Sequence, residues 1–164
     1  MKRNLLIIIC TLFTVLGATA QGKKVIVAYF SATGKTEAAA KQLAKEQKAE
    51  IYAIKPKKDY SEEDLDYRNA ISRSSKEMND SQSRPTLKEG KDLSRYDTVY
   101  LGFPIWWNLP PRIINTFIEQ ANLKGKVVIP FATSGSSSIE NSVNALKRAY
   151  PDIKWQNGLL LNKK

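Results

Sequence analysis

The sequence predicts an α/β fold: a parallel sheet with helices on both faces, in three layers. Apolar runs rich in β-branched and aromatic residues alternate with helical patterns along most of the chain. Each pair of successive runs is separated by enough residues for a crossover helix, as parallel strands require. Polar or aromatic loops directly follow three of these runs, which places candidate binding residues at strand ends.

The first twenty residues have the pattern of a secretory signal peptide. Lys2 and Arg3 precede an apolar run at 5–16, and the small residues of 17–20 follow it. This run is too short for a comfortable membrane span, although an uncleaved anchor is the alternative. We therefore expect a signal peptide at 1–20 and one domain at 21–164, exported to the periplasm, without stable membrane insertion after cleavage.

Composition excludes several classes of site. The chain has no histidine, and its single cysteine, Cys10, lies in the predicted signal peptide. Ser-His-Asp and Cys-His catalysis and the usual zinc sites are thereby excluded. We expect no catalytic side chain and no metal site, so that any chemistry would belong to a bound cofactor.

The chain is basic, with a net charge of +10. Without the two basic residues of the predicted signal peptide, 24 basic and 16 acidic residues remain, a net charge of +8. A basic surface can attract nucleic acid, an anionic membrane or an acidic protein. Export argues against nucleic acid, and the scattered lysines favour an ordinary solvated surface.

The first predicted strand, 25–30, ends in Tyr29 and Phe30, which we assign to the core. An alanine-rich helix follows it and continues to about Gln47. A short alternating strand at 49–55 ends before Pro56. Acidic residues after Ser61 then indicate a helix start, with a weak apolar stripe to about Asp80 and a loop at 81–94.

The third strand, at 97–102, leads into a loop at 103–111 that is rich in aromatic residues and proline. A helix at 112–122 begins after two prolines, and a fourth strand is predicted at 127–132. Ser137 and Glu140 form a capping-box pattern for a helix at 139–150. The fifth strand, at 153–161, carries Trp155, a core candidate, and is interrupted by Gly158.

The loop after the first strand has the character of an anion site. It joins a buried strand to a helix whose first N–H groups lack partners, and Gly34 allows close approach of a ligand. Gly34, Lys35 and Thr36 resemble the end of a nucleotide triphosphate loop, but that motif needs glycine where Tyr29 stands. A simple helix cap is the remaining alternative.

Two further loops follow the third and fourth strands, and all three emerge at the same end of a parallel sheet. One loop offers hydroxyl groups and a glycine, one offers indoles, and one offers small polar residues. A flat aromatic ring with a phosphate tail would satisfy all three.

These segments resemble the flavodoxin family, specifically its short flavodoxin-like branch. The resemblance rests on VAYFSATGKTE, YLGFPIWW, RIINTFIEQ, GKVVIPFATSGSSS and DYSEEDLDY. It implies a five-stranded sheet in the order 2-1-3-4-5, and the sequence predicts that the family's last helix is short or absent, leaving the fifth strand less covered. It also implies FMN as the cofactor.

The resemblance assigns cofactor contacts to each loop. The phosphate would be held by Ser31, Ala32, Thr33, Gly34, Lys35 and Thr36. The ring would be lined by Pro104, Ile105, Trp106, Trp107 and Asn108, and the stacking role stays open between the two tryptophans. Its pyrimidine edge would face Thr133, Ser134, Gly135, Ser136 and Ser137, unless these serines only cap a helix.

Two functions fit the resemblance. One is an electron carrier with permanently bound FMN, serving a redox partner protein that the basic surface predicts to be acidic. The other is an NAD(P)H-dependent quinone or FMN reductase, although the sequence has no second nucleotide loop. A binding module without redox function is a third alternative.

Overall fold

The computed structural model describes residues 24–162, so the predicted signal peptide lies outside the described residues. Strands alternate with helices along this part of the chain. The strands are β1 (Val25–Tyr29), β2 (Glu50–Ala53), β3 (Thr98–Pro104), β4 (Val127–Thr133), β5 (Lys154–Trp155) and β6 (Leu159–Leu160). The helices are α1 (Lys35–Gln47), a 3-10 turn (Glu63–Leu65), α2 (Arg73–Asn79), α3 (Arg112–Ala121) and α4 (Glu140–Ala149).

All strand pairs in the sheet are parallel. The order is β2-β1-β3-β4-β5, and β6 also pairs with β4, which confirms the predicted 2-1-3-4-5 order. Val25 pairs with Thr98, and Thr98 pairs with Val127, so the first residues of β1, β3 and β4 are in register. The carboxyl ends of these three strands therefore meet at one edge of the sheet.

The predicted fifth strand is two short strands. Beside β4, β5 pairs at Val127 and Val128, while β6 pairs at Phe131 and Ala132. Between them, the backbone at Gly158 approaches α4 so closely that an added Cβ would lie 2.8 Å from Val143 Cγ2. Within the described residues no helix follows β6, and its two leucines are 38% and 43% exposed, as expected for a less covered edge.

The predicted helix from Ser61 to Asp80 is wrong in its middle. The chain forms the 3-10 turn, leaves helical geometry at Asp66, and re-enters it only at α2. The side chains of Asp66 and Asn69 accept hydrogen bonds from the backbone N–H groups two residues on. Such local bonds compete with a helix. Ser72 then caps α2 by accepting from the Ser75 N–H.

Two apolar clusters pack on opposite faces of the sheet and form the three layers. One cluster joins the sheet to α3 and α4 and contains Phe30 and Phe117, each 1% exposed. The other joins it to α1 and contains Tyr29 and Phe131. The core assignment of Tyr29 and Phe30 is thus confirmed. Among residues 24–162, no helix is both long and apolar enough to span a bilayer.

Candidate functional site

The loop between β1 and α1 has the geometry of an anion nest. Gly34 adopts a left-handed conformation, with φ 84°, and its N–H donates to Ser31 Oγ at 3.1 Å. The first intrahelical bond runs from the Ala38 N–H to the Gly34 carbonyl. The N–H groups of Lys35, Thr36 and Glu37 precede that bond and have no partner within the helix. Three donors at a positive helix end suit a phosphate group.

A hydroxyl–hydroxyl bond joins this nest to the end of β4. Thr36 Oγ1 and Thr133 Oγ1 are 2.8 Å apart, and the two side chains are only 1% and 9% exposed. The backbone of Thr133 makes a second contact, since its carbonyl accepts from the Ile105 N–H at 3.1 Å. Thr133 therefore links the start of α1 and the loop after β3 at one edge of the sheet.

The loop after β3 closes as a tight turn. Trp106 and Leu109 exchange backbone hydrogen bonds of 2.9 Å, and Trp107 and Asn108 between them have φ values of 47° and 62°. Two successive left-handed residues define a type I′ geometry that bulky residues rarely adopt. The Asn108 carbonyl is held by the hydroxyl of the fully buried Ser142 in α4.

The two indoles of this turn have different surroundings. Trp106 packs against Phe30 and Tyr60, with ring centroids 5.8 Å and 5.4 Å away, and lines a cavity shared by the three loops. Trp107 is 47% exposed and does not line that cavity. Trp155 packs against the core, and its indole N–H donates to the Tyr150 carbonyl.

The loop after β4 is organised by Ser134 rather than by a capping box. Ser134 Oγ accepts from the N–H groups of Ser136 and Ser137, at 3.3 Å and 2.8 Å. Ile139 is the N-cap residue of α4, which has no side-chain cap. The predicted cap by Ser137 is wrong because the N-cap of α4 lies two residues later, at Ile139, and the Ser137 N–H, which a capping box would direct to Glu140, donates to Ser134.

The three loops open into one cavity of about 930 Å³, which is within the range of small-molecule sites. Ten of the sixteen residues predicted to bind the cofactor line it: Thr33, Gly34, Lys35, Thr36, Pro104, Ile105, Trp106, Thr133, Ser134 and Gly135. The six that do not are Ser31, Ala32, Trp107, Asn108, Ser136 and Ser137.

Other lining residues were missed from the sequence. The cavity continues along α1 through Gln42 to Glu46 and reaches the end of β6 at Leu161 and Asn162. The Asn162 side chain accepts from the Ser134 N–H at 2.9 Å. The signal was present, since β6 is parallel and its carboxyl end emerges at the same edge as the three loops.

Charge at the nest is net positive. The Lys35 side chain is exposed and makes no ion pair with residues 24–162. Glu37, in the first turn of α1, is bound by Lys41 at 2.6 Å, and this hydrogen bond lowers its pKa. In the described part of the chain no group of acidic side chains has the arrangement of a metal site.

Comparisons with known proteins agree with this geometry. A family model described as flavodoxin matches residues 24–164. Two similar solved structures are candidate flavoproteins from Bacteroides. The Bacteroides eggerthii protein is 54% identical, with TM-score 0.85, covering 86% of this chain and 89% of that one. The Bacteroides uniformis protein is 57% identical, with TM-score 0.84, covering 87% and 92%.

A more distant structure shares the fold. It is a flavoprotein from Lactobacillus acidophilus in complex with FMN, 22% identical, with TM-score 0.69, covering 84% of this chain and 93% of that one. A search among curated proteins found no match.

Proposed function

Because this chain belongs to the flavodoxin family, we propose that it binds FMN in the cavity at the ends of β1, β3 and β4 and carries electrons. The observation that carries this proposal is the pairing of an anion nest with an indole wall in one cavity. When bound, FMN supplies one- or two-electron transfer, and the protein supplies binding, orientation and electrostatics.

The residues present fit FMN. The free N–H groups at the start of α1 and the Thr33 hydroxyl would hold the phosphate, with Lys35 adding positive charge. Trp106 and Ile105 would line one side of the ring. Gly135 and neighbouring backbone after β4 would face its polar edge.

One observation favours a second candidate, an NAD(P)H-dependent quinone or FMN reductase. The cavity extends beyond the nest along α1 as far as Glu46, which leaves space beside a bound FMN. No second nucleotide loop accompanies this space in the sequence, so the carrier is the better-supported function.

The proposal extends to location and partner. The pattern of residues 1–20 supports export, and a domain charge of +8 supports an acidic redox partner. Mass spectrometry of the periplasmic fraction tests export: cleavage near residue 20 is expected, and an intact N-terminus in the cytoplasm would contradict it.

The rate of association with the redox partner should fall as salt rises, and a rate independent of salt would contradict an acidic partner.

The carrier and the reductase are separated by one experiment. The protein reconstituted with FMN is mixed anaerobically with NADH or NADPH, and the visible absorption of the flavin is followed. A carrier keeps its flavin bands until a stronger chemical reductant is added, whereas rapid bleaching by either nucleotide identifies a reductase. Failure to retain FMN would contradict both.

A further inference from the structure

Tyr60 does not line the cavity, yet its ring contacts Trp106, which does. Its ring centroid lies 5.4 Å from that of Trp106, with the two planes at 80°, and 5.7 Å from that of Phe30. Phe30 also contacts Trp106 edge-on at 5.8 Å. The three rings contact one another, and Phe30, 1% exposed, anchors them to the end of β1.

The Tyr60 ring is itself held from two directions. Its hydroxyl donates to Glu77 Oε2 at 2.5 Å, and the Arg73 guanidinium carbon lies 3.9 Å from its ring centroid. Arg73 Nε in turn donates to Glu77 Oε1 at 2.7 Å, and the two side chains of this pair are only 21% and 11% exposed. A cation over one face and a carboxylate at the hydroxyl leave the ring little freedom.

The helix that supplies this pair is fixed in turn. Arg112, at the start of α3, donates to the carbonyls of Glu77 and Met78 at the end of α2. Arg73 Nη1 also donates to the Lys58 carbonyl, two residues before Tyr60. Burial is the main cause that raises the pKa of Tyr60, and the Glu77 hydrogen bond raises it further. The Tyr60 hydroxyl therefore stays a hydrogen-bond donor.

We propose that Tyr60, clamped by Arg73 and Glu77, is a positioning residue that sets the orientation of the Trp106 indole in the cavity wall. This inference rests on the proposed function, since the orientation matters for cofactor binding only if FMN occupies the cavity. An indole held by an edge contact is already oriented before the ligand arrives, which lowers the ordering entropy lost on binding.

The chain offers a matched control in Tyr52. Its ring stacks on Phe117 at 6.0 Å, a lysine lies over it at 5.7 Å, and its hydroxyl donates to the Glu89 carbonyl. Tyr52 does not line the cavity. Tyr52→Leu therefore removes a similar set of contacts without touching Trp106.

The experiment uses 5-fluorotryptophan-labelled protein without FMN, with the three resonances assigned by single tryptophan-to-phenylalanine variants. We expect Tyr60→Leu to shift or broaden the Trp106 resonance and leave that of Trp155 unchanged. Tyr60→Phe keeps the ring and should have a smaller effect, and Tyr52→Leu should have none. If Tyr60→Leu fails to fold, Glu77→Gln loosens the clamp and should still broaden the Trp106 resonance.

A titration of the same variants with FMN completes the test. Tyr60→Leu should weaken FMN binding about three- to tenfold relative to Tyr52→Leu. An unmoved Trp106 resonance, or equal changes in the Tyr60 and Tyr52 variants, would overturn the positioning role. A moved resonance with unchanged FMN affinity would overturn the claim that this orientation aids cofactor binding. If the wild-type protein binds no FMN, the proposed function fails, while the resonances still decide whether Tyr60 orients Trp106.

Discussion

The hydroxyl groups of Thr36 and Thr133 lie 2.8 Å apart in the interior, although 97 positions separate the two residues in the chain. Thr36 belongs to the first turn of α1, and Thr133 ends β4. Their bond links the anion nest to the loop after β4, so it helps to hold two walls of the cavity at a fixed distance.

A double-mutant cycle measures this link. Thr36→Val or Thr133→Val alone leaves one buried hydroxyl without a partner and should lower the free energy of unfolding by about 1–3 kcal/mol. The double variant removes both hydroxyl groups, so its loss should be smaller than the sum of the single losses. Urea unfolding provides the values, and strictly additive losses would contradict the link.

Gly34→Ala, compared with a matched glycine variant, separates an effect on FMN binding from an effect on stability. An added Cβ would meet no atom within 4 Å, so the loss comes from the left-handed φ of 84°, about 1–2 kcal/mol. Gly125→Ala is a matched control, because Gly125 has φ 75°, equally open surroundings, and a position before β4, away from the cavity.

Both glycine variants should lose similar stability in urea unfolding. Only Gly34→Ala should weaken FMN binding, by about tenfold or more, because a distorted nest misdirects the free N–H groups of α1. Equal FMN affinities for the two variants would argue that the phosphate is held elsewhere.

Lys35 should discriminate between phosphorylated and unphosphorylated flavin. Lys35→Met removes an exposed charge at the nest, and FMN affinity should fall roughly two- to fivefold, more at low salt. Riboflavin affinity should not change. Lys45→Met is the matched control, because Lys45 is also exposed on α1, makes no ion pair with residues 24–162 and lies outside the cavity lining, so its loss should affect neither ligand. A parallel fall for riboflavin would contradict the assignment of Lys35 to the phosphate.

The α/β class was predictable from the alternation of strand and helix patterns, and the 2-1-3-4-5 strand order was implied by the family resemblance. Because the carboxyl ends of parallel strands emerge at one edge, the sequence also predicts that Gly34, Trp106 and Thr133 lie close together, and they line one cavity. It failed between Asp66 and Ser72, where aspartate and asparagine side chains bind the backbone and override a weak helical pattern.

Side-chain choices inside the site were less predictable. Ser137 matches a capping box, but its N–H donates to the Ser134 hydroxyl three residues earlier, and Ser134 is itself bound to the distant Asn162 side chain. Trp106 and Trp107 are neighbours of equal chemistry, and only the left-handed turn separates a cavity-lining indole from an exposed one. Tyr60 lies 46 residues before Trp106, and nothing local in the sequence marks their contact.

Stability at high pH should depend on Tyr60. Burial and the Glu77 hydrogen bond raise the pKa of Tyr60 well above the ordinary tyrosine value of about 10. Above about pH 10 the Tyr60 hydroxyl loses its proton in the unfolded chain but keeps it in the folded protein. The free energy of unfolding therefore falls as pH rises. Tyr60→Phe has no such proton, so urea unfolding should show a shallower fall with pH; equal slopes would contradict the burial of the hydroxyl.

The reduction potential should reflect the basic domain. Positive charge stabilises a cofactor that has gained electrons, so with a net charge of +8 over residues 21–164 we expect a higher potential than in an acidic member of the family. A redox titration of the FMN-loaded protein checks this, repeated at high salt, where screening should reduce the difference. An unusually low potential would contradict the electrostatic argument.

A crystal structure of the protein with FMN tests the central claim most directly. We expect the phosphate at the N–H groups of Lys35 and Thr36 and the flavin ring against Trp106, within the cavity bounded by Thr133 and Gly135. A cavity left empty at saturating FMN, or a phosphate bound away from the start of α1, would contradict the account.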